Sequence, residues 1–217
     1  MPAGWPRFDL YVITDAGLSP GRSHIDIARA ALAGGADAVQ LRDTSATAQN
    51  LSLMAAEIQP LARKFGAVFI VNNRVDVALV SGADGAHVGQ EDLPARDARR
   101  LLPRPAVLGV SAGTLEEAKR AAREGADYIG VGPIFPSTTK PDAGEAIGVA
   151  ALSAIVRATT LPVVAIGGIT PDNVAMVIRA GAAGAAVVSA VVLAPDMAAA
   201  ARALKGRIVA ARQDPLP

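Results

Sequence analysis

The sequence has no cysteine, which excludes disulfides, thiolate zinc sites and a cysteine nucleophile and fits a reducing compartment. Histidine occurs only at His24 and His87, so a mechanism built on imidazole acid–base chemistry has few candidates. Aromatic residues make up 3% of the 217 residues, and the core must therefore be built from Ala, Val, Leu and Ile. A net charge of +1 argues against nucleic acid or an anionic membrane surface as the main partner. The N-terminal stretch MPAGWPRFDLYVITD holds no apolar segment long enough for a signal or a membrane span. The expectation is a soluble cytoplasmic protein that meets small molecules, with assembly into a homo-oligomer left open. Hydrophobic residues at 51% against 19% charged suit a globular chain with a large core.

Short β-rich runs alternate with Ala-rich helical stretches along the chain. The expected strands are 10–14, 38–41, 68–71, 85–88, 107–110, 128–131, 163–166 and 185–188. Thr114-Leu-Glu-Glu117 reads as a capping box. Thr170-Pro-Asp-Asn173 reads as a helix start with Thr at the N-cap and Pro at the first helical position. A phrase recurs before four strands: GGADAVQLR from Gly34, SGADGAHVG from Ser81, EGADYIGVG from Glu124 and AGAAGAAVVS from Ala180. Each reads as a helix end, a glycine at C′, a tight turn and a strand. Recurrence every 40 to 55 residues or so fits a βα repeat. Eight such units predict one α/β domain over residues 1–217, a TIM (β/α)8 barrel. A doubly wound open sheet is the alternative, but Ile13-Thr14-Asp15-Ala16-Gly17 lacks its Gly-rich dinucleotide fingerprint.

In such a barrel the chemistry sits where the strands end. The polar residues collected there are Gln40, Arg42, Asp43 and Thr44; Asn72, Asn73 and Arg74; Gln90, Glu91 and Asp92; Ser111; and Ser189 after Val188. The sixth strand runs into GPIFPSTTKPDAG, residues 132–144, which carries Ser137, Thr138, Thr139 and Lys140. A strand-to-helix connection needs only about two to six residues, and one of twice that length is expected to be functional. Gly167-Gly168 after the seventh strand and Ser189 after the eighth suit a backbone phosphate site; a plain tight turn is the other reading of the glycines. Arg42 and Lys140 supply cations and Asp92 a carboxylate, a set suited to phosphorylated substrates with Mg²⁺. The plainer readings are an N-cap for Asp92, a solvated pair with Asp43 for Arg42 and a surface position for Lys140. His87 reads as a hydrogen-bonded barrel residue, and His24 as a surface or capping residue.

Taken together, Gln40-Leu-Arg42, Val71-Asn72, His87-Val-Gly-Gln-Glu-Asp92, Leu108-Gly-Val-Ser111, Gly130-Val-Gly-Pro-Ile-Phe-Pro136 with Thr139-Lys140, and Ile166-Gly-Gly-Ile-Thr170 resemble the thiamine phosphate synthase family over nearly the whole chain. The resemblance implies a transferase that couples a pyrimidine diphosphate to a thiazole phosphate, giving thiamine monophosphate and pyrophosphate. It implies that Gln40, Arg42 and Asn72 hold the pyrimidine diphosphate, and that Asp92 binds Mg²⁺ with Asn73 as the second metal position. Ser111 would contact the pyrimidine or its leaving group. Ser137, Thr138, Thr139 and Lys140 would reach the phosphates from a closing loop, and Gly168, Val188 and Ser189 would hold the thiazole phosphate. Arg42, Ser111 and Lys140 are the expected catalytic residues. Thr44 stands where the family usually has Lys, Asn73 where it has Asp, and Gly113 where it often has His. Related barrels use that histidine as thiazole tautomerases, so Gly113 speaks against that activity. The alternative is a paralogue that binds a thiazole phosphate without efficient coupling, in a regulatory or tautomerase-like role. An unrelated phosphate-binding barrel is a third reading, but a Schiff-base aldolase would need a lysine on a barrel strand, and none is expected there.

Overall fold

The structure is a computed structural model and describes residues 8–137 and 144–213. Its strands are β1 (Leu10–Ile13), β2 (Ala38–Leu41), β3 (Val68–Asn72), β4 (Gly85–Val88), β5 (Val107–Ala112), β6 (Tyr128–Val131), β7 (Val163–Ile166) and β8 (Gly184–Val187). They are all parallel, and β8 pairs back onto β1, so the sheet closes into an eight-stranded barrel. The helices are α1 (His24–Ala33), α2 (Ala48–Phe65), α3 (Val75–Ser81), α4 (Ala95–Leu101), α5 (Leu115–Arg123), α6 (Gly148–Ala158), α7 (Val174–Arg179), α8 (Ser189–Val192) and α9 (Met197–Gln213). The expected (β/α)8 order is therefore present. Among the described residues no helix is long and apolar enough to cross a membrane.

The recurring phrase does the same work four times. Gly35, Gly82, Gly125 and Gly181 all have positive φ, between 64° and 98°, the left-handed turn that only glycine adopts without strain. Each turn lets the N–H of the alanine that follows donate back five positions, Ala36 to Ala31, Ala83 to Ala78, Ala126 to Ala121 and Ala182 to Val177. This is the Schellman closure of a helix end. The next residue is Asp37, Asp84 or Asp127 in the first three copies. Its carboxylate accepts the N–H of Leu10, Phe69 or Leu108 on the preceding odd-numbered strand, at 2.8 Å each time. The fourth copy has Ala183 there, and only the backbone bond to Val163 remains.

Cations from helices and a loop brace this rim. Lys205 Nζ on α9 lies 2.6 Å from Asp37 and 3.1 Å from Asp9. Arg212 Nε, near the end of the same helix, donates to Asp9 at 2.8 Å. Arg99 and Arg104 both pair with buried Asp127. Burial alone would raise the Asp9 carboxyl, but Lys205 and Arg212 outweigh it and hold it below its ordinary value of 3.8.

Alternation along the strands divides the core in two. Leu10, Val12, Val39, Leu41, Phe69, Val71 and their equivalents pack outward against the helices. Phe8, Tyr11, Ile13, Ala38, Ile70, Tyr128, Val164 and Ala186 fill the barrel interior. The expected strand bounds are met at β2, β4, β6 and β7, while β3 and β5 run further to include Asn72 and Ser111-Ala112. Two helix starts move, that of α4, whose N-cap is Pro94, and that of α7. Asn173, not Thr170, is the N-cap of α7, because Asn173 Oδ1 accepts the Thr170 N–H at 2.8 Å and Thr170 Oγ1 accepts that of Asp172, closing a turn ahead of the helix.

The depressed Asp9 carboxyl sets a pH dependence. Its stabilising charge is present above the unfolded value and is lost as pH falls through the folded one. Asp9→Asn should cost about 3 kcal/mol at pH 7, the scale for breaking a buried ion pair. The difference from wild type should shrink once pH drops below 3.8. Urea unfolding across pH measures it, and a difference that stays constant into acid would count against the assignment.

Candidate active site

The C-terminal ends of the strands surround a cavity of about 540 Å³. Strand parity decides what faces it. Gln40 lies two residues beyond inward Ala38, Asn72 two beyond Ile70, and Ser111 four beyond Val107. Each of these polar side chains therefore continues an inward column that is apolar lower down, and all three line the cavity.

In the lining of the cavity a chain of polar contacts crosses the barrel. Gln40 Nε2 donates to the Tyr11 hydroxyl at 2.7 Å, and Tyr11 meets the Tyr128 hydroxyl at 3.0 Å. Tyr128 meets His87 Nδ1 at 2.9 Å, and His87 Nε2 meets Ser111 Oγ at 3.0 Å. Burial pushes the Tyr11 hydroxyl well above its ordinary pKa, and burial together with Tyr11 does the same to Tyr128. Both stay neutral donors and acceptors. The His87 ring has room because its strand neighbours lack side chains. A Cβ on Gly109 would sit 2.2 Å from Tyr128 Cζ and 2.4 Å from His87 Nδ1, and one on Gly130 would sit 3.1 Å from His87 Cε1.

A second network holds the β1 and β2 ends. Arg42 reaches Asp15 at 3.3 Å. His24 Nδ1 meets Thr14 Oγ1 at 2.7 Å, and His24 Nε2 lies 3.4 Å from Asp43. Two readings from sequence are corrected here. His24 is buried rather than at the surface, because it opens α1 directly beneath the β2–α2 loop. Asp43 faces His24 and caps Ser45 and Ala46, which leaves Arg42 to Asp15. Burial raises the Asp43 carboxyl, but the Ser45 and Ala46 donors and His24 outweigh it and hold it below its ordinary value.

Asn73 has φ 59°, left-handed without being glycine, a conformation asparagine tolerates better than most residues. Asp92 Oδ2 accepts the Gly89 N–H at 2.7 Å. Pro94, not Asp92, occupies the N-cap of α4, so the carboxylate closes the turn before the helix and still lines the cavity. No described residue donates to Asp92 Oδ1 or to the Asn73 side chain. Two oxygen donors are thus available. Gln90 is committed elsewhere, to the Ser111 carbonyl at 2.5 Å and to Arg120.

Across the cavity, Gly167 and Gly168 have φ 95° and 63°, and added Cβ atoms would come within 2.5 Å of Pro133 and 2.6 Å of the Pro136 carbonyl. These glycines let the β6–α6 loop pack directly on the β7 end. That loop is tied at its base, since Ile147 and Gly148 donate to the carbonyls of Pro133 and Ile134 at 2.9 and 3.1 Å. Gly168, Val188, Ser189 and Ser137 line the same cavity. Thr138, Thr139 and Lys140 lie outside the described residues. Every other residue that the resemblance assigns to the site lines this one cavity, whereas of the strand-end polar residues Asp43 pairs with His24 and Arg74 with Asp76 outside it. Tyr11, Tyr128 and Asp15 were not anticipated. The available signal was that an aromatic-poor chain places both of its tyrosines on strands.

Residues 10–191 match the family model described as thiamine monophosphate synthase. The chain is 54% identical over 207 residues to the thiamine-phosphate synthase of Methanoregula boonei, covering 95% of this chain and 96% of that protein. It is 55% identical over 199 residues to that of Chloroflexus aurantiacus, covering 92% of each. Among solved structures it is similar to thiamine phosphate pyrophosphorylase from Pyrococcus furiosus, with a TM-score of 0.87, 39% identity, and coverage of 95% of this chain and 98% of that one.

The packing over Gly109 gives a direct test. Gly109→Ala has no space for its methyl group and should destabilise the fold by about 1–3 kcal/mol, the usual cost of overpacking. It should also displace the His87 ring. Thermal unfolding and the tyrosine near-UV signal report both effects, and a variant unchanged in both would mean that the ring does not need the glycine.

Proposed function

The chain belongs to the thiamine monophosphate synthase family, and from that premise we propose that it couples 4-amino-5-hydroxymethyl-2-methylpyrimidine diphosphate to a thiazole phosphate, releasing pyrophosphate. The observation that carries the reading is the convergence of Gln40, Arg42, Asn72, Asp92, Ser111, Gly168 and Ser189, from six different strand ends, on one cavity. Gln40 and Asn72 orient the pyrimidine diphosphate. Arg42, Ser111 and Lys140 stabilise the leaving diphosphate. The bond from the exocyclic carbon to the diphosphate oxygen breaks with its electron pair on pyrophosphate. The thiazole nitrogen then supplies the pair for the new C–N bond. No enzyme base or nucleophile is required, which agrees with a site that works by charge stabilisation and alignment. Val188 and Ser189, with Gly168, would hold the thiazole phosphate through the backbone. Ser137, Thr138 and Thr139 would reach the phosphates from the loop.

The donor set fits a Mg²⁺ ion. Asp92 and Asn73 would hold it, and when bound it supplies neutralisation of the diphosphate charge. Among the described residues there is no group of three His, Asp or Glu side chains placed to hold a metal. One carboxylate and one amide oxygen suit Mg²⁺, which keeps several waters and takes substrate phosphates as ligands. The charged residues lining the cavity support a cation there. Among the described residues they are Asp15, Glu91 and Asp92 against Arg42, a negative balance within that set.

Pyrophosphate release from the pyrimidine diphosphate should require both the thiazole phosphate and Mg²⁺ and should yield thiamine phosphate. Saturable thiazole phosphate binding without release would refute the coupling activity. Asp92→Asn keeps an acceptor for the Gly89 N–H but removes the charge. It should lower kcat about a hundredfold, the scale for losing one preorganised electrostatic contact, and near-normal turnover would remove Asp92 from the metal site. Asn73→Asp should lower the Mg²⁺ concentration at half-saturation severalfold by adding ligand charge. An unchanged Mg²⁺ titration would place Asn73 away from the ion.

A further inference from the structure

We propose that Tyr128 and His87 are positioning residues that hold the Ser111 hydroxyl as a one-way hydrogen-bond donor into the cavity, aimed at an anionic oxygen of the leaving diphosphate. The direction follows along the chain of contacts. Gln40 Nε2 donates to the Tyr11 oxygen at 2.7 Å. The hydrogen of Tyr11 then points to its other partner, the Tyr128 oxygen at 3.0 Å. Tyr128, having received one hydrogen, gives its own to His87 Nδ1 at 2.9 Å. A neutral imidazole that accepts at Nδ1 carries its proton on Nε2, and Nε2 lies 3.0 Å from Ser111 Oγ. Ser111 accepts there, and its own hydrogen faces the cavity.

The packing agrees with a built arrangement. The His87 ring occupies space left by Gly109 and Gly130 on the next two strands. Tyr128 is edge-packed on Phe8 at 5.1 Å between centroids and tilted on His87 at 5.5 Å. A donor on the diphosphate strengthens as that group takes up the electron pair, so it lowers the barrier rather than merely binding substrate. What Ser111 meets in the cavity rests on the synthase reading, whereas the direction of the chain does not.

Two experiments separate these. In ¹⁵N-labelled wild-type protein, long-range ¹H–¹⁵N correlations show which imidazole nitrogen carries hydrogen. The His87 ring is assigned through its nuclear Overhauser contacts to Tyr128. At pH 7.5 His87 should be the neutral Nε2–H tautomer. An Nδ1–H tautomer would mean that the chain runs the other way, and an imidazolium would also overturn the proposal. The second experiment is kinetic. Tyr128→Phe keeps the ring and should lower kcat about tenfold with KM for both substrates within about twofold, while Ser111→Ala lowers kcat about a hundredfold, a donor-loss magnitude. In the double variant the loss should equal that of Ser111→Ala alone, because Tyr128 acts only through Ser111. Losses that multiply would overturn the positioning role. Absence of thiamine phosphate with the wild-type protein would refute the synthase reading and leave the tautomer result to decide the chain.

Discussion

The structure depends on what happens to the N–H of Leu10, Phe69 and Leu108, at or next to the start of the odd strands on the N-terminal rim of the barrel. A buried backbone donor without a partner costs as much as a lost hydrogen bond. In β1, β3 and β5 that donor is taken by the carboxylate of the aspartate just before the next strand. The bond fixes the register of each pair at one end, and in a closed barrel eight registers must agree. Lys205 and Arg212 of α9 reach Asp9 and Asp37, joining a helix 196 and 203 residues away in sequence to the start of β1. The last helix therefore closes the chain onto its beginning through charge as well as packing. The fourth repeat lacks the carboxylate at Ala183, and there the Arg212 guanidinium bonds the Ala183 carbonyl instead.

With the lower rim braced in this way, the upper rim can carry groups that contribute little to stability. The same period of two that buries Ala38 and Ile70 aims Gln40 and Asn72 into the cavity. The rigid strands thus position the polar groups more tightly than loops would. Glycine works at both ends for different reasons. Gly35, Gly82, Gly125 and Gly181 turn the chain, whereas Gly109 and Gly130 leave space for the His87 ring.

The barrel was legible in the sequence because the repeated Gly-Ala-Asp phrase and the helix caps are local signals. Thr114 and Glu117 form the expected capping box. The residues of the cavity were legible through the family resemblance and through strand ends. What the sequence hid was pairing across the barrel. Nothing in the segment around Tyr11 announces that its hydroxyl meets Tyr128, 117 positions away. Likewise His24 looked like a surface residue because its own neighbours, Ser23 and Asp26, form an exposed capping box, while its ring turns the other way toward Thr14 and Asp43. The two helix starts misplaced by a few residues share one cause. Asp92 and Asn173 use their side chains to close a turn before the helix, and a side chain to backbone bond of that kind competes with direct capping.

The charges of the cavity also fit one division of labour. Asp15 holds Arg42 in place, and Asp92 is held by the Gly89 N–H. Each carboxylate is oriented by a donor, and Asp92 keeps its Oδ1 turned to no described donor. His87 is engaged at both ring nitrogens. With Asp15, one oxygen of Asp92 and the imidazole engaged in this way, the site has fixed dipoles and cations to act with. That would suffice for the proposed coupling, whose difficulty is charge building up on a departing diphosphate. The engagement of His87 at both ring nitrogens agrees with that proposed coupling. A free imidazole could move a proton that the coupling does not need moved, whereas a hydrogen-bonded one can only direct its neighbour.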